Sequence, residues 1–408
     1  MSDPSNRPTT PSSSPPCAPK ATTATARWPT AWTNSSWTCR GTSAPSRPAR
    51  PAASASPSRT SATRSPSRPG AATWSTAWPS AGVARTGTRN TSCTSRRSRG
   101  ATALCGSSRS TDTGTDVGAD AAAVRGFWER LGLPGLIDVH THFMPERVLR
   151  KVWAYFDSFG ASGAVEWPIT YRHEEERRVA LLGEFGVRAF TSMLYPHKAG
   201  MAEWLNGWAA DFARRTPGCL HTATFFPEPG VDRYVKEAVE AGARVFKAHV
   251  QVGGYDPDDP LLDPVWGLLA EAGVPVVMHC GSGPEPGEHT GPEPVAALLA
   301  RHPRLPVVVA HLGMPEYAEF LTLAERYEEV RLDTTMAFTD FSEGLMPFPA
   351  RERGRLADLG GKVLLGSDFP NIPYPYVHQL ESLERLGFGD AWLRGVLYGN
   401  AARVFGVE

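Results

Sequence analysis

Short, almost continuously apolar runs alternate with helical patterns from about residue 121 to the end of the chain, and this rhythm restricts the fold more than any other feature. Runs such as PVVMH at 275–279 are typical of strands that are buried on both faces, as in parallel sheets. Parallel neighbours need a crossover connection, which is usually a helix. The predicted strands start at residue 136 and then cover 188–194, 219–226, 244–250, 275–279, 306–311, 330–334 and 362–366.

Eight strands, each followed by a helix, over roughly 270 residues match the size expected of a (β/α)8 TIM barrel, which is our predicted α/β fold. A doubly wound open sheet is the alternative. We disfavour it because no G-x-G-x-x-G pattern follows the first predicted strand.

The first third of the chain has a different composition. Up to about Asp116 it contains no Ile, Phe, Tyr, Glu, Gln or His, and Val83 and Leu104 are its only Val and Leu. Such a segment cannot bury enough branched apolar surface to offset its chain entropy. We therefore predict a disordered Arg/Ser/Pro/Thr-rich segment at 1–120 and a barrel domain at 121–408.

Three interpretations of this segment stay open. It is a basic tail for nucleic acid or acidic partners, a disordered extension without a function, or a stretch that is absent from the native protein. We prefer the third, because the composition resembles a GC-rich coding strand translated in the wrong frame.

Cysteine content and hydropathy bear on the compartment. Only Cys219 and Cys280 belong to the predicted barrel, which argues for a reducing compartment without a disulfide framework. No apolar run is long enough to cross a membrane, and no secretory signal begins the chain. We expect a soluble, cytoplasmic protein with no membrane partner.

His140 and His142 stand at the exit of the first predicted strand, in the stretch LIDVHTHF. Residues i and i+2 of an extended segment point to the same side, so the two imidazoles are able to bind one metal ion. An isolated H-x-H pair is more often a packed or exposed pair of strand histidines than a metal site. The metal interpretation therefore depends on the other strand ends.

Polar residues recur at the ends of the later strands. Lys247 and His249 end the fourth strand, His279 the fifth and His311 the sixth, and Asp368 follows the eighth. Lys247, His279 and His311 are each separated by 32 residues, about one strand–helix unit. Barrel enzymes carry their chemistry at this end of the strands, and imidazoles with a carboxylate are the donors of a catalytic zinc-like site.

Five segments in this order resemble the amidohydrolase superfamily, in particular its amidohydrolase-2 branch. That branch includes metal-dependent hydrolases and aminocarboxymuconate-semialdehyde-type decarboxylases. The resemblance covers the chain from about Leu133 to its end. The segments are LIDVHTHF at 136–143, PVVMHCG at 275–281, VVVAHLG at 307–313, LLGSDFP at 364–370 and LYGNAARVFG at 397–406.

The resemblance implies a role for each strand-end residue. His140, His142, His279 and Asp368 would be metal ligands, and His311 would act on a metal-bound water or on the substrate. Asp368 would also shuttle the proton. The alternative for His311 is a second metal ligand.

Two residues of the fourth strand are ambiguous. Lys247 corresponds to a strand-four lysine that is carboxylated and bridges two metals in binuclear members of the superfamily, so it is a pocket residue or part of a second metal site. His249 is interpreted as pocket wall, with a ligand role as the alternative.

The implied activity is that of a metal-dependent hydrolase, in which a metal-bound hydroxide attacks a C–N or C–O bond of a small amide, lactone or ester. The alternative is a non-oxidative decarboxylase of a small aromatic or unsaturated carboxylic acid with the same metal site. One divalent metal ion is expected, zinc first, with manganese, cobalt or iron as alternatives. A small molecule is the expected partner, nucleic acid is not, and a homo-oligomer is left open.

Substrate clues are weaker. Aromatic and apolar residues in the loops after strands one, five and eight predict a partly aromatic rim; they include Phe143, Met144, Phe369, Tyr374 and Tyr376. A cluster of Arg172, Arg177 and Arg178 is able to bind a carboxylate. Because acidic residues alternate with these arginines, we interpret the cluster as a solvated helix face.

Overall fold

The computed structural model describes residues 117–162 and 165–408 of the chain. The predicted disordered segment lies outside the described residues up to residue 116. The eight strands are β1 Leu136–Asp138, β2 Val187–Phe190, β3 Thr222–Thr224, β4 Val245–His249, β5 Val276–His279, β6 Val307–Val309, β7 Val330–Asp333 and β8 Val363–Leu364.

Helices fill the connections between these strands. They are α1 Val117–Arg130, α2 Glu146–Ser162, α3 Glu175–Phe185, α4 Ala202–Arg215, α5 Val231–Glu240, the single turn α6 Val250–Gly253, α7 Asp263–Ala272, α8 Pro292–Arg301, α9 Tyr317–Arg326, α10 Asp340–Glu343, α11 Arg353–Asp358, α12 Tyr376–Glu384, α13 Asp390–Arg394 and α14 Asn400–Phe405.

The strands close into a ring. All strand pairs are parallel, with β1 beside β2 and β3 to β8 in sequence order. A parallel bridge between Phe190 and Cys219 joins the two sheets at one seam. At the other seam Val139 N donates to Leu365 O at 2.9 Å. The predicted (β/α)8 barrel is confirmed.

Two apolar layers stabilise the ring. The larger buried cluster lies between the strands and the surrounding helices and includes Phe185, Phe246 and Trp266. A smaller cluster takes a residue from most of the strands, among them Ile137 and Val277, together with residues of the C-terminal helix α14. Burial of the strands on both faces explains their continuously apolar sequences.

The predicted domain boundary at residue 120 lies inside α1. This helix begins at Val117, and the Asp120 carboxylate accepts hydrogen bonds from the backbone N–H groups of Tyr376 and Val377 at 3.1 and 3.0 Å. These tertiary contacts therefore stabilise the first turn of α1, which the local sequence did not predict. Among the described residues, no helix combines the length and the apolar character that a membrane span requires.

Candidate metal centre

His140, His142 and Asp368 meet at the C-terminal end of the barrel. The two histidines follow β1, and Asp368 lies in the loop after β8. His142 Nε2 is 2.8 Å from Asp368 Oδ1, and His140 Nε2 is 3.6 Å from the same oxygen. One donor atom from each of the three residues lies within 4.8 Å of the others. This spacing fits the coordination sphere of one cation.

The backbone around these residues is strained. His311, Leu312 and Asp368 have φ values of 55°, 56° and 76°, in the left-handed region that non-glycine residues seldom adopt. Each such residue costs about 1–3 kcal/mol and persists where the surrounding structure enforces it, often at a functional site. Gly366 contributes to the same packing, because a Cβ at this position would lie 2.9 Å from the Cβ of His140.

The Nδ1 atoms of His140 and His142 each have a hydrogen-bond partner that fixes the tautomer of the ring. His140 Nδ1 donates to Asp333 Oδ2 at 2.9 Å, and His142 Nδ1 donates to the carbonyl oxygen of Met193 at 2.6 Å. Both Nε2 atoms then carry a lone pair. The Nε2 lone pair of His142 faces a carboxylate oxygen of Asp368, and a cation between these two acceptors would relieve their repulsion. The donor set therefore fits a divalent metal.

Asp333 was not among the residues predicted for the site. It is buried at the end of β7, and its Oδ1 accepts hydrogen bonds from the backbone N–H groups of His311 and Thr335 at 2.9 and 3.1 Å. Burial alone would raise the pKa of Asp333, but His140 and His311 hold it below its usual range. The signal for this residue was its position at a strand end in the stretch VRLDT.

Lys247 reaches into the same group. Its Nζ lies 3.1 Å from His140 Nε2, and its side chain is fully buried. Burial lowers the pKa of Lys247 to about 8. An ammonium at this place competes with a cation for the His140 lone pair, so cation binding there requires Lys247 to lose its proton or to move.

His279 is adjacent to the ligand group but is not part of it. Its Nε2 donates to the carbonyl oxygen of Gly283 at 3.0 Å, and its ring lies 4.7 Å from the ring of His311, centroid to centroid. Its assignment as a metal ligand stays a prediction.

His249 stacks on His279 with ring centroids 4.1 Å apart. The Tyr195 ring also packs against His249, with centroids 4.6 Å apart. His249 Nδ1 also accepts a hydrogen bond from the backbone N–H of Val252 at 3.3 Å. These contacts agree with a position in the pocket wall. Burial lowers the pKa of His249 well below its ordinary value, so the ring is neutral.

His311 is a neutral imidazole beside the metal-ligand group. Its ring centroid lies 5.1 Å from that of His140, and its Nδ1 donates to the carbonyl oxygen of Thr335 at 3.1 Å. Burial lowers the pKa of His311 to about 4. At neutral pH the ring is therefore uncharged, and with its hydrogen on Nδ1 the lone pair lies on Nε2.

The predicted aromatic rim is wrong. Phe143, Phe369 and Tyr376 are fully buried, and Tyr374 is nearly so, because these rings pack in the core between strands and helices.

The interpretation of the arginine cluster as a solvated helix face is correct only in part. Arg178 is 3% exposed and lies over the Phe143 ring at 5.1 Å, since α3 turns this position inward.

Comparisons with known proteins agree with this architecture. A family model described as "Amidohydrolase" matches residues 137–407. Among solved structures, an uncharacterized TIM-barrel protein from Bordetella bronchiseptica has a TM-score of 0.55 and 19% sequence identity, covering 67% of this chain and 98% of its own. At this identity the likeness shows the fold alone.

Two further solved structures have lower TM-scores. The 5-carboxyvanillate decarboxylase of Novosphingobium aromaticivorans, complexed with manganese and a nitrobenzoic acid, has a TM-score of 0.47 and 17% identity, covering 68% of this chain and 97% of its own. A probable 2-pyrone-4,6-dicarboxylic acid hydrolase from Acinetobacter baumannii has a TM-score of 0.45 and 13% identity, covering 67% and 99%. No curated protein sequence matches this chain.

Proposed function

This chain belongs to the amidohydrolase family, and from that premise we propose that it is a metal-dependent hydrolase that cleaves a C–N or C–O bond in a small amide, lactone or ester. The observation that carries the proposal is the position of a neutral His311, with its Nδ1 held by Thr335 O, next to the group of His140, His142 and Asp368. A general base beside a metal-ligand set is what hydrolysis requires.

His140, His142 and Asp368 would hold the divalent ion. We assign His279 as a fourth ligand, which requires its ring to give up the hydrogen bond to Gly283 O. Imidazole and carboxylate donors suit zinc, and manganese, cobalt and iron are the alternatives. When bound, the ion would polarise a substrate carbonyl and lower the pKa of a water.

His311 would take up the proton at Nε2. Its Nδ1–H···O hydrogen bond to Thr335 holds the ring in one tautomer, and the backbone N–H of His311 donates to Asp333, whose other oxygen binds His140. One carboxylate therefore orients both the base and a metal ligand. Asp368, which faces both β1 histidines, is the second group that would hold or return a proton.

A decarboxylase is the second candidate, and Lys247 is the observation that favours it. Its side chain brings a buried positive charge to the ligand group. A Lys247 side chain that moves away from His140 when the metal binds keeps its proton, and its ammonium then attracts the carboxylate of a substrate acid. For either reaction, two free cysteines in the described part of the chain support a reducing compartment, such as the cytoplasm.

The test is turnover of substrate panels by protein of known metal content. Purified protein would be loaded with Zn²⁺ and assayed with lactones, esters, amides and aromatic acids in ¹⁸O-labelled water. Incorporation of ¹⁸O into the product supports the hydrolase, whereas carbon dioxide release without incorporation assigns the lyase.

Two variants connect this activity to the site. His142→Ala is expected to lose both metal and turnover. His302→Ala is the control, because this histidine bonds Asp263 on the outside of the barrel. Retention of full activity by the metal-free His142→Ala protein would refute the proposal.

A further inference from the structure

A buried carboxylate outside the ligand group connects the two loops that carry the ligands. Asp138 is the last residue of β1 and is completely buried. Its Oδ1 accepts hydrogen bonds from the backbone N–H groups of His140 and Ser367 at 3.1 and 3.2 Å. Its Oδ2 accepts from Ser367 Oγ at 2.5 Å and from Tyr376 Oη at 2.8 Å. Asp138 therefore bonds His140 directly, and it also bonds Ser367, the immediate neighbour of Asp368.

All four groups around this carboxylate are donors, so both oxygens are fully paired. Two of the donors are backbone N–H groups on different strand ends, one after β1 and one after β8. These strand ends are far apart in sequence, and Asp138 accepts a hydrogen bond from each of them. A shift of one loop relative to the other would break hydrogen bonds of a completely buried carboxylate, which is costly.

Tyr376 holds Asp138 from the outer side. This tyrosine is the first residue of α12, and its ring stacks on Phe185 with centroids 4.9 Å apart. Its backbone N–H donates to Tyr171 Oη at 2.6 Å and to Asp120 Oδ2 at 3.1 Å. The hydroxyl that bonds Asp138 is therefore fixed by α1 and α3 together, not by α12 alone.

We propose that Asp138, held by Tyr376, is a positioning residue that sets the distance between His140 and Asp368. The proposal rests on the metal-dependent function inferred above. Asp138 accepts hydrogen bonds from the chain on both sides of the site, so it acts through the ligands and has no contact with the substrate. Loss of an outer partner of a metal ligand typically lowers metal affinity 10–100-fold.

The experiment uses the full-length protein and the variants Tyr376→Phe, Ser367→Ala and Asp138→Asn. Tyr376→Phe keeps the ring stack and removes one donor, so it tests the network even if Asp138→Asn does not fold. Tyr317→Phe is the matched control, because this buried tyrosine also donates its hydroxyl to one acceptor, Met346 O at 2.9 Å, away from the ligands.

Zn²⁺ affinity is measured by competition with a chelator, beside the midpoint of thermal unfolding of the metal-free protein. We expect Tyr376→Phe and Ser367→Ala to weaken Zn²⁺ binding by up to about tenfold, the lower end of the range for a direct partner of a ligand, because each removes one of the donors to Asp138. Tyr317→Phe is expected to lower the unfolding midpoint while its Zn²⁺ affinity stays at the wild-type value. Folded Tyr376→Phe and Ser367→Ala proteins with wild-type affinity would overturn the proposal.

A second readout separates this proposal from the proposed function. The ¹⁵N resonances of the His140 and His142 rings are recorded in metal-free protein, where they report the position of the imidazoles. Tyr376→Phe should shift them and Tyr317→Phe should not. If the wild type binds no divalent ion, the proposed function fails, and these resonances still decide whether Asp138 positions the histidines.

Discussion

Lys247 Nζ lies 3.1 Å from His140 Nε2, so a lysine ammonium bonds the lone pair that a cation would take. Burial lowers the pKa of Lys247 to about 8. At pH 7 such a group is protonated about ten times more often than not. Metal binding and loss of this proton are therefore linked.

We expect the affinity for Co²⁺ to increase as the pH rises from 7 to 8.5, because Lys247 loses its charge in this range. His140 contributes nothing to this slope, since burial lowers its pKa to about 4 and it is already neutral. Lys247→Met should bind Co²⁺ about tenfold more tightly than wild type at pH 7 and show a flat profile.

Chelator competition measures these affinities. Lys362→Met is the control, because its Nζ donates to backbone carbonyls of Ala324 and Tyr327 outside the site. Weaker binding by Lys247→Met would mean that the lysine takes part in holding the metal instead of competing with it.

His311→Asn should lower kcat by about 10²–10⁴-fold, which is the usual contribution of a general base. The metal content should stay at the wild-type level, because His311 is not among the residues that we propose to hold the metal. Elemental analysis and steady-state kinetics on the same preparation test both points. His378→Asn is the control, since this histidine bonds the backbone of Asp340. A parallel loss of metal would identify His311 as a ligand.

His279→Ala tests the fourth ligand. If the ring turns from Gly283 O to the metal, removal of the imidazole should weaken Zn²⁺ binding by at least tenfold, in the same direction as His142→Ala. An unchanged dissociation constant would exclude His279 from the ligand set.

Asp120→Ala should destabilise the protein by about 1–3 kcal/mol, because the Val377 N–H and the Tyr171 hydroxyl lose their acceptor, while the Tyr376 N–H keeps Tyr171 Oη. Urea unfolding of the metal-free protein measures this loss. Asp232→Ala is the control, since Asp232 lies exposed in the first turn of α5. Equal unfolding midpoints for the two variants would show that α1 does not stabilise the barrel through this contact.

Metal-free protein should lose stability as the pH falls from 7 to 5. Burial lowers the pKa of His140 and of His311 to about 4, below the value of about 6.5 of an unfolded histidine. The unfolded chain therefore takes up protons that the folded chain does not, and unfolding becomes more favourable in acid. Urea midpoints at pH 7, 6 and 5 measure the slope, and His311→Asn should reduce it. A constant urea midpoint over this pH range would contradict the lowered pKa values of His140 and His311.

Local patterns were enough for the barrel and for the types of residue in its site. Apolar runs with helical connections predicted a parallel ring, and strand ends are where such rings bring polar side chains together. His140, His142 and Asp368 were found in this way. The positions of side chains that depend on the direction of a loop were less predictable. The aromatic residues predicted to form a rim are buried, and His279 Nε2 donates a hydrogen bond to Gly283 O.

The sequence by itself determined the fold class and the chemistry of the donors, because strand periodicity and residue type are local properties. Only the tertiary structure decided which partners those donors have. Asp333 bonds His140, Asp138 bonds Tyr376 and Asp120 bonds the start of α12, in each case across more than 190 positions of the chain. Such pairs depend on how strands and helices pack in three dimensions, and no local pattern specifies them.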